Sequence, residues 1–387
     1  MNAEQFMQFK IGNKESTNGI RKLQLTNDLT DFSSNDYLGY SRLKNEESSK
    51  EYLQSEARLL PKNQGWSGAG GSRLLSGNSA AAEELEDLFA TQEKTGAALL
   101  FNSGYTANTS LFSCLPQKGD LVIYDQYIHA SVIDGLRLSY ADRLKFRHND
   151  CRDLENKLLQ NKDRQGRCYV AIESLYSMDG DFANLPPILA LCSKYQARLI
   201  VDEAHAFGVF GTGLATSEVT GTPVFARIIT FSKALGLHGA VILGSQLLKT
   251  YLVNFARPFI YSTALPPMLI LSILTRYKRL LTLPEEQHKL QQKSTLLRAN
   301  LQAIYPAGNS TERIDLKVSP IQIITIPGNE NCLRWSKLLF EKGYAVYPIR
   351  SPTVPAGTER LRICIHSFNT ETEINGLCEQ IKQLHQS

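Results

Sequence analysis

Two short apolar runs constrain this chain more than any other feature. Ala197-Arg198-Leu199-Ile200-Val201 leads into Asp202-Glu203-Ala204-His205, and Ala226-Arg227-Ile228-Ile229 leads into Thr230-Phe231-Ser232-Lys233. Runs this short and this apolar read as strands buried on both faces, the state of a parallel strand covered by helices. Ala97–Phe101, Leu121–Asp125, Arg143–Arg147, Cys168–Glu173 and Gly239–Leu243 share the pattern. Amphipathic segments lie between them. The clearest is Ala80–Gln92, with Asn78 or Ser79 as its cap, Glu83 and Glu84 in its first turn, and Ala81, Leu85, Leu88 and Phe89 along one face. Strands alternating with helices predict an α/β fold built on a mostly parallel, doubly wound, seven-stranded sheet.

The pattern divides the chain. Residues 1–48 form a polar N-terminal segment, and 49–270 hold the strand–helix alternation of a large domain. Residues 271–387 carry a helix at 283–304, stopped by Pro306, and then a βαββα pattern. Its elements are Ile321–Ile326, Cys332–Glu341, Tyr344–Pro348, Leu361–His366 and Thr372–His385, a smaller α/β domain. A net charge of +4 over 387 residues, with no basic run interleaved with aromatics, argues against nucleic acid as a partner. The seven cysteines are scattered and lack C-x-x-C spacing, so neither a disulfide framework nor a metal site is expected, and a reducing compartment is. The first residues lack an apolar signal core, and no run approaches the about 20 apolar residues of a membrane span. A cytoplasmic protein without membrane attachment is expected.

In open α/β sheets, ligands bind outside the carboxyl ends of the strands. Asp202, His205 and Lys233 all stand there. A lysine is by default solvated surface, but Lys233 lies between Phe231 and Leu235 with few charges nearby in sequence. Burial would lower its pKa and make the free amine a nucleophile able to form a Schiff base. Asp202 is a helix cap or an arginine's partner in the plain reading. In the sharper one it pairs with the pyridine nitrogen of pyridoxal phosphate and keeps it protonated. Asp-Glu-Ala-His also occurs in helicase-type NTPases, but no Gly-Lys followed by Ser or Thr accompanies it here, which removes that reading.

The remaining candidates follow other strands. Phe101-Asn102-Ser103-Gly104-Tyr105-Thr106 leaves a strand, turns at Gly104 and opens a helix, whose free N–H groups suit a phosphate. Tyr105 is placed to cover a ring, and Thr230, Ser262 or Thr263 to add a second anion contact. His129, just past Leu121–Asp125, is either a structural histidine or a flat ring to stack on the cofactor. Ser177 and His205 are donors for its phenolic oxygen. Gly65-Trp66-Ser67-Gly68-Ala69-Gly70-Gly71-Ser72-Arg73 follows no apolar strand, so it reads as a loop of close backbone approach and not as a dinucleotide site. Arg362 is a surface arginine by default and a carboxylate clamp in the sharper reading.

Taken in order, these residues resemble the α-oxoamine synthases, pyridoxal-phosphate enzymes of the aspartate-aminotransferase fold (fold type I). The likeness runs from Ser34-Asn35-Asp36-Tyr37-Leu38-Gly39 to Arg360-Leu361-Arg362. Members condense an amino acid with an acyl thioester and release CO2. Gly68 through Asn78, Ser177-Met178-Asp179-Gly180-Asp181 and Ser351-Pro352-Thr353-Val354-Pro355-Ala356-Gly357-Thr358 resemble the biotin-pathway branch, which joins L-alanine to a pimeloyl thioester of coenzyme A or acyl carrier protein. The alternatives within the family are the glycine C-acetyltransferase and serine palmitoyltransferase types. The resemblance implies that Lys233 holds the cofactor, Asp202 its ring nitrogen, His129 its face, and His205 with Ser177 its phenolic oxygen. It implies Gly104, Tyr105 and Thr230 for the phosphate, with Ser262 or Thr263 reaching it from the partner in a homodimer whose site lies at the interface. Arg362, Asn35, Thr353 and Arg21 would contact substrate. Phe210-Gly211-Thr212-Gly213-Leu214 departs from the family's longer Gly-Arg-Gly segment.

Overall fold

A computed structural model describes residues 1–16, 19–21, 23, 25–26, 28–43, 57–59, 66–221, 224–305 and 318–386. Gly65 and Pro306 lie outside the described residues. The chain forms two compact units: a larger one of Leu38–Ser177 and Asp181–Gln287, and a smaller one of Met1–Tyr37, Met178–Gly180 and His288–Ser387. The helix Pro267–Thr282, which spans the boundary expected at 270, belongs whole to the larger unit.

After the short β1 (Thr30–Asp31) of the smaller unit come the strands of the larger one. They are β2 (Ala97–Phe101), β3 (Leu121–Asp125), β4 (Asp142–Phe146), β5 (Cys168–Glu173), β6 (Arg198–Asp202), β7 (Ala226–Thr230) and β8 (Ala240–Gly244). They make one seven-stranded sheet in the order β2-β8-β7-β6-β5-β3-β4. β8 alone runs antiparallel to its neighbours β2 and β7; the other pairings are parallel. Because side chains alternate along a strand, β6 feeds two cores. Ile200 packs with Leu111, Val132 and Phe259 on one face, while Leu199 and Val201 pack with Leu154, Leu185 and Ile188 on the other. Burial on both faces is why these strands read as continuous apolar runs. β4 is one of the two edge strands and is mostly exposed, and its start falls one residue before the expected Arg143.

Helix starts are fixed by local chemistry. Ser79, the second of the two expected caps, accepts from the Ala82 N–H at the start of Ala80–Gln92. Ser103 does the same for Thr106 at the start of Gly104–Cys114. The glycine-rich loop folds back on itself. A Cβ on Gly77 would lie 2.3 Å from the Gly71 carbonyl oxygen, a collision no side chain survives. Ala264 N–H donates to that same carbonyl at 2.9 Å.

In the smaller unit, β9 (Ile321–Thr325), β11 (Tyr347–Ile349) and β12 (Arg360–Cys364) form an antiparallel sheet ordered β11-β12-β9, and β10 (Tyr344–Ala345) pairs with β1. With the helices Asn329–Glu341 and Glu371–Gln386 the order is βαβββα: the single strand expected at Tyr344–Pro348 is two, β10 paired with β1 and β11 paired with β12. Among the described residues, no helix is long and apolar enough to cross a membrane.

Candidate active site

The larger unit gathers its polar side chains at the carboxyl ends of β5, β6 and β7. Asp202 ends β6 and is 6% exposed. Its Oδ1 accepts the Ala204 N–H at 2.9 Å and its Oδ2 accepts Asn108 Nδ2 at 2.7 Å. Glu173 ends β5 and is buried beside it. Burial and the Asp202 charge push the Glu173 carboxyl well above the usual range, although Lys233 and the backbone N–H groups of His129 and Ser177 pull it down. One of its oxygens, Oε1, is buried with no hydrogen-bond partner among the described residues. The sequence reading passed over Glu173 and Asn108. The signal was available: Glu173 is the last residue of an apolar run, as Asp202 is.

Lys233 is half-buried in the turn after β7. Two bonds shape this turn, Gly236 N–H to the Lys233 carbonyl at 2.9 Å and Leu237 N–H to the Phe231 carbonyl at 2.9 Å. The buried Arg276 holds it from beneath through the Leu235 and Gly236 carbonyls, at 3.1 and 3.3 Å. The surroundings are more charged than sequence neighbours suggest, since Lys233 acts electrostatically on both Glu173 and His129.

His129 caps the helix Ala130–Leu138 with its own ring, Nδ1 accepting the Ser131 N–H at 3.2 Å. Burial and the Lys233 charge hold its pKa below the ordinary histidine value, against the pull of Asp202 and Asp134. Tyr105 is half-exposed, donates its hydroxyl to Asp134 and stands edge-on to the His129 ring at 6.4 Å. His205 is buried in the turn after Asp202, and Ser177 is half-buried where the chain leaves the unit.

Gly104 opens its helix directly against β7. A Cβ there would stand 3.3 Å from the Thr230 Cβ and 3.4 Å from its Oγ1. Thr230 Oγ1 is itself within 3.2 Å of the Gly239 carbonyl and 3.0 Å of Ser232 Oγ. Ser262 is half-buried and Thr263 exposed; the Thr263 carbonyl accepts Asn102 Nδ2 at 2.7 Å.

In the smaller unit, Arg362 donates Nη2 to Asn35 Oδ1 at 3.0 Å, bringing two of the expected substrate residues together. Thr353 and Arg21 are exposed, and Thr353 N–H donates to the Arg350 carbonyl at 2.8 Å.

The acid next to Asp202 has a different fate. Glu203 is fully buried and accepts Arg227 together with the Leu214 and Ala215 N–H groups, at 2.7 and 2.9 Å. Arg227 also donates to the Thr212 carbonyl at 2.7 Å and to Glu93 at 2.8 Å. The short segment Phe210–Leu214 is therefore wound around an ion pair, and Gly213, at φ 129°, has no room for a side chain.

The fit to pyridoxal phosphate rests on three features: the buried acid pair at the ends of β5 and β6, the lysine held beside it, and the helix start seated on Thr230. Comparison with known proteins agrees. A family model described as aminotransferase class I and II matches residues 27–381. The chain belongs to that family. An 8-amino-7-oxononanoate synthase of Emericella nidulans is 39% identical to this aminotransferase-family chain, over 93% of it and 90% of the relative. Among solved structures, serine palmitoyltransferase from S. paucimobilis with bound PLP–myriocin superposes with a TM-score of 0.86 at 25% identity, covering 100% and 99% of the two chains. The 8-amino-7-oxononanoate synthase of Francisella tularensis gives 0.74 at 28%, covering 92% and 97%. The expected fold type and the resemblance to the α-oxoamine synthases are both borne out.

Proposed function

We propose that this chain condenses L-alanine with a pimeloyl thioester, releasing CO2 and the free thiol and giving 8-amino-7-oxononanoate, a step of biotin biosynthesis. The observation that carries this is the 39% identity, nearly end to end, to a relative of that name. Pyridoxal phosphate, when bound, supplies a ring that takes up the electron pair left at the amino acid's α-carbon.

The chain's own residues do the rest. Asp202 would keep the ring nitrogen protonated, and Lys233 would hold the cofactor covalently. The Lys233 amine would also serve as general base for the α-proton. His129 would lie on the ring face, with Ser177 and His205 donating to the phenolic oxygen. The Gly104 and Tyr105 N–H groups and Thr230 take the phosphate, and Ser262 or Thr263 completes that contact from the second subunit of a homodimer. Arg362 and Asn35 take the amino acid's carboxylate, while Thr353 and Arg21 meet the rest of the substrate. The thiol carrier is coenzyme A or acyl carrier protein, and the setting is the cytoplasm.

A second reading has a specific observation behind it: the backbone superposes better on the serine palmitoyltransferase than on the named synthase, 0.86 against 0.74. One assay separates the two. Pimeloyl, acetyl and palmitoyl thioesters are each offered with alanine, glycine and serine, and thiol and CO2 are measured. Release confined to pimeloyl thioester with alanine supports the synthase; a preference for palmitoyl thioester with serine overturns it.

A further inference from the structure

We propose that Asn108 and Ser131 are positioning residues that hold His129 as its Nε2-protonated tautomer and tie that ring to Asp202. The proposal rests on the cofactor reading of the site, but its deciding measurement needs no substrate.

The argument is a count of hydrogens. Asp202 Oδ2 is an acceptor, so the Asn108 atom 2.7 Å from it must be the amide nitrogen. Turning the amide over would set oxygen against oxygen. The nitrogen has a second hydrogen, and Ser131 Oγ lies 3.0 Å away to accept it. That leaves the hydroxyl one hydrogen of its own to give, and His129 Nδ1 stands 2.7 Å from Oγ. The Ser131 backbone N–H points at the same nitrogen from 3.2 Å. A ring nitrogen facing two donors has its lone pair directed at them and carries no proton. The ring hydrogen therefore sits on Nε2.

Burial supports this order. Asn108 and Ser131 are 2% and 0% exposed, so water does not compete for these groups. Asn108 Oδ1 is left without a partner among the described residues, a cost accepted because the opposite orientation would leave Asp202 facing an oxygen. The depressed His129 pKa, set by burial and Lys233 against Asp202 and Asp134, keeps the ring neutral, so the tautomer matters. Direction and plane of the imidazole, and one oxygen of Asp202, are thus set by a single chain of donors running Asn108 to Ser131 to His129.

The test is nitrogen NMR on the pyridoxal-phosphate-loaded protein labelled with 15N-histidine, with His129→Gln used only to assign the signals. In the native protein His129 Nδ1 is expected to resonate as an unprotonated, pyridine-type nitrogen and Nε2 as a protonated one. The native spectrum alone decides the tautomer, and a protonated Nδ1 overturns the proposal. Ser131→Ala should mix the two ring forms and lower kcat about tenfold, the scale of one hydrogen bond, with KM little changed. Ser131→Thr, which keeps the hydroxyl, should restore both. Asn108→Ala should shift the ring signals in the same direction as Ser131→Ala. Ring signals that stay native in both alanine variants, or altered signals with native turnover, overturn the positioning role. Absent turnover of pimeloyl thioester with the native tautomer intact would instead count against the proposed reaction.

Discussion

Arg227 donates Nε and Nη2 to a single oxygen of Glu203, at 2.9 and 2.5 Å, with the arginine side chain 3% exposed and the glutamate fully buried. Asp202, one residue earlier, points to the site. Adjacent acids at the end of one strand face opposite ways because side chains alternate there. Asp202 is the acid proposed for chemistry, while Glu203 holds the fold.

The pair makes a sharp prediction. Removing one partner of a buried ion pair leaves the other charge uncompensated, which typically costs about 3–5 kcal/mol. Glu203→Gln should fall at the lower end, about 3 kcal/mol, because Glu93 and the Thr212 carbonyl still receive Arg227. Urea unfolding of the variant checks it, and an unchanged midpoint would show that Glu93 alone suffices.

His148 gives the larger unit a pH dependence of its own. Its Nδ1 lies 2.8 Å from Asp125 and its Nε2 2.7 Å from Asp181. Burial alone would lower its pKa, but the two carboxylates raise it to about 9 from the ordinary 6.5. A raised folded pKa gives stability that is full below about 6.5 and lost as pH rises through about 9, on the order of 3 kcal/mol in all. Denaturation curves between those pH values should show the native protein weakening as pH rises. His148→Gln should flatten that slope, and an equal slope in both proteins would refute the assignment.

Much of this was legible in the sequence, and what was not has physical causes. β2, β3 and β5 match the predicted runs because both faces are buried, so the positions ahead of the terminal Asp125 and Glu173 are apolar or aromatic. The antiparallel course of β8 left no trace, since alternation of side chains is the same in either direction. The site residues that stand at strand ends, Asp202 and Lys233, announced themselves by interrupting apolar runs. Asn108 and Ser131 did not, because each is an ordinary polar residue on a helix. Their partners are set by the fold, and 94 residues separate Asn108 from Asp202.

Lys233 should be the point of covalent attachment. Borohydride treatment of the pyridoxal-phosphate-loaded protein is expected to fix the label on the peptide carrying Lys233, as read by mass spectrometry. Lys233→Ala should abolish both the label and all turnover, since the same amine is the proposed base for the α-proton. Labelling at another lysine, or turnover in the variant, would remove Lys233 from its role.

The start of the helix Gly104–Cys114 offers a test of the phosphate cradle that leaves the chemistry untouched. A Cβ at Gly104 would already lie 3.3 Å from Thr230, so alanine asks for a small shift, while the branches of valine must occupy the space above Thr230. A phosphate held by the helix's first N–H groups needs that space. Gly104→Val should therefore weaken pyridoxal phosphate binding by about 10- to 100-fold, the loss of one charge-assisted hydrogen bond. Gly104→Ala should lose much less. Cofactor titration followed by absorbance measures the effect, and thermal melts of the cofactor-free proteins show whether the fold is kept. A valine variant that melts like the native protein and binds cofactor equally well would move the phosphate away from this helix.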